Sequence, residues 1–124
     1  MYELVKAIKA LADETRLRML NLLLVRECCV CEIMQALEIS QTRASRNLTL
    51  LYDAGFLKLR KEGLWSFYSI QQAEILRYPG KLVEAVATGL AGNDVAAEDR
   101  QRLRETVRLG TACYPGENRV CADK

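Results

Sequence analysis

The spacing of hydrophobic residues predicts a mainly helical chain. In YELVKAIKAL and in ETRLRMLNLLL, large apolar residues recur every three or four positions, which is typical of one buried face of an α-helix. Asp13 is a natural N-cap for the second of these helices. CEIMQAL predicts a further helix of about two turns. Ser40 is placed to cap the next helix, QTRASRNLTLLYDA, which Gly55 would end.

The pattern changes after Gly55. FLKLRKEGLWSFYSI is rich in aromatic and alternating residues and is split at Glu62-Gly63, which predicts a two-stranded hairpin with a basic tip. A later helix over about residues 73–90 contains Pro79-Gly80, which should break or restart it. We assign residues 1–92 to one domain and residues 93–124 to a C-terminal extension, a charged, solvated helix with a flexible tail.

Two short helices joined by a tight turn and followed by a basic hairpin have the order of a winged helix-turn-helix. In such proteins the N-terminal half of the second helix enters the major groove of DNA. We predict that Arg43 or Arg46 forms a bidentate pair with guanine and that Gln41 can contact adenine. Arg60 and Lys61, near the hairpin tip, suit phosphate contacts. The full set of predicted DNA-binding residues is Gln41, Thr42, Arg43, Ser45, Arg46, Thr49, Arg60 and Lys61.

Charge supports this interpretation when it is divided along the chain. The whole sequence has 18 Lys and Arg against 16 Asp and Glu, a net charge of +2. Residues 40–70 have five basic against two acidic residues, whereas residues 1–39 have a balance of −1 and residues 71–124 a balance of zero. The positive excess therefore lies in the block that contains the predicted DNA-binding helix and hairpin.

Length and composition limit the remaining possibilities. A chain of 124 residues with 50% apolar residues suits a single hydrophobic core. The sequence has no apolar run long enough to span a membrane, and its N-terminus lacks the basic start and apolar core of a secretion signal. We therefore expect a cytoplasmic protein without a membrane partner.

The cysteines are concentrated in one place. Cys28, Cys29 and Cys31 fall within four positions, and the other two, Cys113 and Cys121, lie near the C-terminus. In a reducing compartment such a cluster is more typical of a metal or redox site than of a structural disulfide. The chain has no histidine, so thiolates are the best candidate ligands, and they favour soft or thiophilic ions.

Three segments in order resemble the ArsR/SmtB family of metal-responsive bacterial repressors: KALADETRLRMLNLL, ECCVCEIMQALEISQTRASRNLTLLYDAGFL and RKEGLWSFYSI. The resemblance covers about residues 4–90. It implies a homodimeric winged-helix repressor that binds operator double-stranded DNA and leaves it when a toxic ion binds, with no organic cofactor. By analogy the outer helices form the dimer seam. Their apolar residues here are Leu4, Ile8, Val83, Val86 and Leu90.

The resemblance also implies an inducer. In this family a CVC motif at the start of the first helix of the pair belongs to sensors of arsenite and antimonite, and Cys29-Val30-Cys31 matches it. As(III) or Sb(III) would then be held by Cys29, Cys31 and a third sulfur. Many arsenic sensors have a cysteine where this chain has Met34. We favour the adjacent Cys28 as the third ligand, and a cysteine near the C-terminus of either subunit is the alternative.

A helical geometry for these cysteines suggests a switch. Successive residues of an α-helix turn by about 100°, so Cys29 and Cys31 on one helix would point about 200° apart. Three sulfurs cannot surround one ion while residues 28–31 stay helical. We therefore predict that ion binding unwinds or holds open the start of this helix, whereas DNA binding favours the wound form.

Other functions use the same cysteines. Cadmium- and lead-responsive repressors of the family share the CVC element but add cysteines ahead of the first helix, where this sequence has none. A redox-sensing repressor would oxidise the cysteines to a disulfide, with Arg26 lowering a thiol pKa. An enzyme is disfavoured, because the chain has no histidine to activate a cysteine and no Gly-rich phosphate loop.

Overall fold

The computed structural model describes residues 1–71 and 77–108. In these ranges no helix combines the length and the apolar character needed to span a membrane. The elements follow in the order α1 Tyr2–Leu11, α2 Glu14–Val25, β1 Cys28–Cys29, α3 Val30–Leu37, α4 Gln41–Asp53, β2 Leu57–Glu62, β3 Trp65–Ile70, α5 Arg77–Leu90 and α6 Asp94–Arg104.

Helices α2, α3 and α4 form the centre of the fold. Their apolar faces meet in one core that includes the fully buried Leu20, Ile33, Leu48 and Phe56. Burial of each such side chain contributes roughly 1.5–3 kcal/mol, so the three helices are held firmly together. β2 and β3 form an antiparallel hairpin, the wing, which packs against α2 and α4. The predicted winged helix-turn-helix fold, mainly α with a small β-hairpin, is confirmed.

Local signals set the ends of the helices as predicted. The Asp13 carboxylate accepts a hydrogen bond from the Arg16 backbone N–H (3.1 Å), and the Ser40 hydroxyl accepts one from the Arg43 N–H (3.1 Å). Each cap satisfies an N–H that has no partner within its helix. Gly55 follows α4 with a φ of +95°, a value that other residues rarely adopt.

The sheet contains a third strand that the sequence pattern did not predict. β1 pairs antiparallel with β3, so that Cys28 lies opposite Tyr68 and Cys29 opposite Phe67. The strand order is β1-β3-β2. Cys28 and Cys29 are therefore extended, and α3 begins only at Val30. A strand of two residues is too short to show the alternation by which strands are detected.

α5 also differs from its prediction. Its described part runs from Arg77 through Pro79 and Gly80 to Leu90, where a break or a restart of the helix was expected. Pro79 lies in the first turn, where the backbone N–H has no partner within the helix and its loss costs little. Residues 73–76, predicted to be helical, lie outside the described residues.

α6 packs against α2 and α3, although its even spread of charge suggested a solvated helix. The fully buried Asp99 accepts two hydrogen bonds from Arg18 of α2 (2.8 and 2.9 Å) and one from Arg102 (2.8 Å). Leu103 joins the central core. The flexible tail predicted after this helix lies outside the described residues, and the division of the chain at residue 92 stays a prediction.

α1 has an uncovered apolar face. Leu4, Val5 and Ile8 are 41%, 41% and 50% exposed. Ala7 and Ala10, on the other side of the same helix, are buried. Several exposed apolar side chains on one helix face are typical of an interaction surface.

Candidate cysteine site and nucleic-acid interface

The three clustered cysteines do not face the same way. Successive residues of a strand point to opposite sides of a sheet, so β1 separates Cys28 from Cys29. Cys28 lies in the central core, with its Sγ 3.4 Å from the carbonyl oxygen of Arg26. Cys29 lies in a small cluster with Cys31 and Phe67. Among the described residues, no three Cys, His, Asp or Glu side chains are grouped to hold a metal ion.

Cys29 and Cys31 form a close pair. Their Sγ atoms lie 3.0 Å apart. Cys29 is the extended N-cap of α3 (φ −92°, ψ 170°), and Cys31 falls in the first turn. The pair is 2% and 3% exposed and packs against Phe67 and Trp65, whose rings stack 5.8 Å apart. The premise that residues 28–31 are helical is wrong, because Cys28 and Cys29 are extended and α3 begins only at Val30. The effect of ion binding on the start of α3 stays a prediction.

Glu32 connects this pair to the C-terminal extension. One carboxylate oxygen accepts a hydrogen bond from the backbone N–H of Cys29 (2.9 Å), which forms a capping box at the start of α3. The other oxygen accepts from Arg26 (3.0 Å) and from Arg108 (3.1 Å). Because the carboxylate is buried, these two guanidinium groups are needed to balance its charge. Glu32 thus links the start of α3 to Arg26, which precedes β1, and to Arg108, which follows α6.

Burial changes the acidity of the cysteine thiols. Burial away from solvent raises the pKa of Cys28 to about 12 and the pKa of Cys29 to about 11. The nearby negative charge of Glu32 is the second largest cause of both shifts. Both are free thiols. With such pKa values they are protonated at neutral pH. A ligand that binds the sulfur of Cys29 must therefore take away its proton.

α4 presents most of its predicted DNA-binding side chains to solvent. The exposed ones are Thr42, Arg43, Arg46 and Thr49. Gln41 and Ser45 are half-buried, with Gln41 donating a hydrogen bond to the Ser45 hydroxyl (2.9 Å). Arg43 also donates to the hydroxyl of Thr15 in α2 (2.9 Å). Within the described part of the chain, Arg46 has no hydrogen-bond or ion-pair partner, so its guanidinium is available to DNA.

The two basic residues of the wing have different surroundings. Lys61 is exposed near the hairpin tip. Arg60 forms a bidentate pair with Glu27 (2.8 and 3.1 Å), contacts Glu62 (3.3 Å) and lies 4.5 Å from the centre of the Phe67 ring. The hydrogen bonds and charge of these carboxylates raise the pKa of Arg60 and offset part of its charge. Lys61 is the better placed of the two for a phosphate contact, while Arg60 links the wing to the residue before β1.

A cleft of about 310 Å³ lies between the start of α3, the N-terminal half of α4 and the wing. Cys29 lines it from the cysteine pair, Gln41 and Ser45 from α4, and Lys61 and Trp65 from the wing. Cys29 and the two elements predicted to bind DNA therefore border one space.

Sequence comparisons identify the family of this chain. The family described as bacterial regulatory protein, arsR family, matches residues 13–59. The arsenic resistance transcriptional regulator ArsR1 of Pseudomonas putida is 39% identical over 99 residues, which cover 78% of this chain and 74% of that protein. The chain belongs to the ArsR family of bacterial regulators. The arsenical resistance operon repressor of Escherichia coli is 45% identical over 67 residues, 53% of this chain and 57% of that protein.

Solved structures have the same fold as this ArsR-family repressor. Reduced HlyU from Vibrio cholerae matches with a TM-score of 0.61 and 31% identity over 73% of this chain and 90% of that one. The homodimeric winged helix-turn-helix domain of Mb0332 from Mycobacterium bovis matches with a TM-score of 0.59 and 34% identity, over 72% of this chain and 82% of that one. Family and fold are those of DNA-binding transcriptional regulators and not of enzymes.

Three residues around the cysteine pair of this ArsR-family protein were not predicted from the sequence. The sequence does contain a signal for Glu32, because Cys29 and Glu32 have the spacing of an N-cap and its capping-box partner. No sequence pattern indicates Phe67, since its place beside Cys29 depends on the unpredicted strand β1. Arg108 reaches the site only because α6 packs on the fold.

Proposed function

We propose that this chain forms a cytoplasmic homodimer that represses transcription by binding operator DNA. As(III) or Sb(III) releases it by binding Cys29, Cys31 and a third cysteine sulfur. The observation that carries this proposal is the 3.0 Å approach of two cysteine sulfurs beside the DNA-binding elements. Sulfur ligands favour thiophilic ions. Two relatives named for arsenic resistance support the same inducer.

The homodimer forms through α1 and α5. The exposed Leu4 and Ile8 of α1 would be covered by the second copy, together with the half-buried Val86 and Leu90 of α5. Val83, also predicted for the seam, is instead buried in the core of its own chain. A two-fold dimer carries two α4 helices, which contact two half-sites about one turn of DNA apart or a multiple of that. The operator is therefore expected to be an imperfect palindrome.

Arg46→Ala is expected to weaken operator binding by about 5- to 150-fold, or roughly 1–3 kcal/mol, because a bidentate contact to guanine is lost. Fluorescence anisotropy with labelled operator DNA measures the change. Arg104→Ala is the matched control, since it removes the same charge from an exposed position on α6. It should change the affinity by less than about threefold. Equal affinities of the two variants would contradict the assignment of α4 as the helix that contacts bases.

The buried, protonated thiol of Cys29 suits arsenite. At neutral pH As(III) is the uncharged As(OH)₃, which avoids the cost of bringing an ion into an apolar cluster. Each As–S bond forms as a hydroxyl group leaves with the thiol proton: As(OH)₃ + 3 Cys–SH gives As(S–Cys)₃ + 3 H₂O. No electron is transferred, and no proton is released to solution. Trivalent antimony follows the same exchange.

The wing connects the cysteine pair to release of DNA. Phe67 and Trp65 of β3 pack on the two sulfurs, and Phe67 lies opposite Cys29 in the sheet. An ion with a third sulfur needs room beside the pair. Phe67 and Trp65 must move to make this room, and both belong to β3, one of the two strands of the wing. Movement of β3 displaces Lys61 relative to α4, and the two DNA-binding elements no longer fit one duplex.

Release of the DNA requires a free energy that an ion site with three sulfur ligands can supply. A shift from 99:1 to 1:99 needs the ion to prefer the released state by about 10⁴, or roughly 5.5 kcal/mol. Linkage requires operator DNA to weaken ion binding by the same factor. Calorimetry that found equal ion affinity with and without operator would contradict this coupling.

Cys29→Ser and Cys31→Ser test the ligand assignment. In fully reduced protein bound to operator DNA, each variant should need at least about 100-fold more arsenite for release, because one ligand is lost. Operator affinity without arsenite should stay within about threefold of wild type and is the internal control. Normal release of Cys29→Ser would refute the proposed site.

The close contact of the two sulfurs also favours a second function, thiol-redox sensing. A peroxide would oxidise two thiols to a disulfide and be reduced to water. The raised pKa of Cys29 opposes this reaction, because the thiolate is the reactive form. Mass spectrometry after mild peroxide treatment, followed by an operator-binding assay, separates the two functions.

A further inference from the structure

We infer that Arg16 is a positioning residue for DNA binding, which fixes α4 to α1 through a fork of hydrogen bonds. The inference rests on the proposed function, since it concerns how the dimer presents its two α4 helices to operator DNA. α1 has the uncovered apolar face assigned to the dimer seam, and α4 carries the side chains predicted to contact bases. A link between these two helices therefore sets where each α4 lies in the dimer.

Arg16, in the first turn of α2, closes the end of α1. Its Nε donates a hydrogen bond to the Ala10 carbonyl oxygen (2.6 Å), and its Nη2 donates a longer one to the Lys9 carbonyl oxygen (3.4 Å). Carbonyl groups in the last turn of a helix lack the partner that each has in the helix interior. The same end of a helix is electrically negative and favours a cation. The Arg16 guanidinium supplies both the donors and the charge.

The same guanidinium reaches α4. Its Nη1 donates to the side-chain oxygen of Asn47 (2.7 Å), and the Asn47 amide donates to the carbonyl oxygen of Arg43, one turn earlier in α4 (3.0 Å). Asn47 is only 9% exposed, so its polar atoms depend on these protein partners. A guanidinium is planar and rigid, and its donors point in fixed directions. Arg16 therefore fixes both the distance and the angle between the end of α1 and α4.

A second contact from the first turn of α2 holds α4 in the same place. The hydroxyl of Thr15, which is buried, accepts a hydrogen bond from Nη2 of Arg43 (2.9 Å). Arg43 is thus held at its backbone by Asn47 and at its guanidinium by Thr15. None of Thr15, Arg16 and Asn47 is among the residues predicted to contact DNA. Their hydrogen bonds orient a residue that is.

In a dimer, such a link makes DNA binding sensitive to the spacing of the two half-sites. A two-fold dimer needs both α4 helices at the separation and angle that the duplex sets. One extra base pair between the half-sites moves the second by about 3.4 Å and turns it by about 35°. When α4 is fixed firmly to the seam helix, the dimer cannot follow this change. When the link is loose, it can follow in part.

Arg16→Met tests the inference, because it removes the donors and keeps an apolar side chain of similar length. The variant should bind operator DNA about tenfold more weakly than wild type. Insertion of one base pair between the half-sites should weaken binding by a factor at least about threefold smaller in the variant than in wild type. Fluorescence anisotropy measures both, at a temperature where circular dichroism shows each protein folded. An equal loss of affinity on insertion in the two proteins would overturn the inference.

Arg16→Lys separates geometry from charge. It keeps the positive charge but replaces the planar fork by a single ammonium group, so it should lose most of the affinity that Arg16→Met loses. Wild-type affinity of Arg16→Lys would mean that charge alone is sufficient, and the positioning role would be wrong. Lys6→Met is the matched control, since it removes one positive charge from an exposed position of α1 that borders the same surface groove as Arg16. It should change operator affinity by less than about threefold.

Asn47→Ala breaks the link at its other end and leaves the Arg16 contacts with α1 in place, so it tests the inference even if the Arg16 variants do not fold. It should also weaken operator binding about tenfold. Because Arg16 and Asn47 act through one hydrogen bond, the double variant should bind within about threefold of the weaker single variant. Losses that multiply to about 100-fold would show that the two residues act independently, against the inference.

Non-operator DNA of equal length distinguishes the two levels of the argument. Wild type should prefer the operator, and the Arg16 and Asn47 variants should bind the non-operator duplex within about threefold of wild type, because they keep the phosphate contacts. Wild-type protein with no preference for the operator would contradict the proposed function itself. If wild type shows that preference and every variant retains it in full, the positioning role fails and the proposed function stands.

Discussion

Asp99→Ala is expected to lower the free energy of unfolding by about 3–5 kcal/mol, because removal of one member of a buried ion pair leaves the other without a partner. Asp99 is fully buried and holds Arg18 through two hydrogen bonds and Arg102 through a third. The hydrogen bonds and charge of Asp99 raise the pKa of Arg18. The variant would keep these cations beside an uncharged, partly empty position between α2 and α6.

Urea unfolding followed by circular dichroism measures this loss, at one fixed protein concentration because a dimer gains stability as its concentration rises. Glu98→Ala is the control, since it removes the same charge one residue away on the exposed side of α6. It should change the free energy of unfolding by less than about 0.5 kcal/mol. A similar small effect of Asp99→Ala would mean that α6 contributes little to the stability of the fold.

The sequence predicts those parts of the fold that depend on near neighbours. The caps at Asp13 and Ser40, the turn at Gly55 and the hairpin split at Glu62-Gly63 are local features, and the structure confirms each. α6 shows the limit of such prediction. Its position depends on Asp99, whose partner Arg18 lies 81 residues away, and periodicity contains no information about pairs so distant.

The sequence predicts a chemistry for the candidate cysteine site but not its geometry. Residue types alone indicate a thiophilic site at Cys28, Cys29 and Cys31. The orientation of each sulfur depends on where the strand ends and the helix begins, and this boundary falls between Cys29 and Val30. A helix over the same residues would separate the sulfurs that the structure brings to 3.0 Å. The ligand set itself stays a prediction that the serine variants test.

The pH dependence of binding should distinguish arsenite from cadmium. Between about pH 6.5 and pH 8.5, cadmium affinity of the reduced protein is expected to rise at least about tenfold per pH unit. Burial and the charge of Glu32 raise the pKa of Cys29 to about 11, so this thiol is protonated throughout the range. Cd²⁺ must release at least this proton, and a reaction that releases a proton becomes more favourable as pH rises. Isothermal titration calorimetry in two buffers of different ionisation enthalpy counts the protons.

Arsenite should show almost no dependence over the same range, with affinity constant within about threefold, because its own hydroxyl groups take the thiol protons away as water. A steep rise with pH would mean that protons leave to solution and that the exchange written above is wrong. A flat cadmium profile would mean that Cys29 is already a thiolate. If both profiles are as expected, the buried and protonated Cys29 disfavours Cd²⁺ most strongly at low pH, where As(OH)₃ still binds. Burial of the thiols would then act as a filter for uncharged inducers.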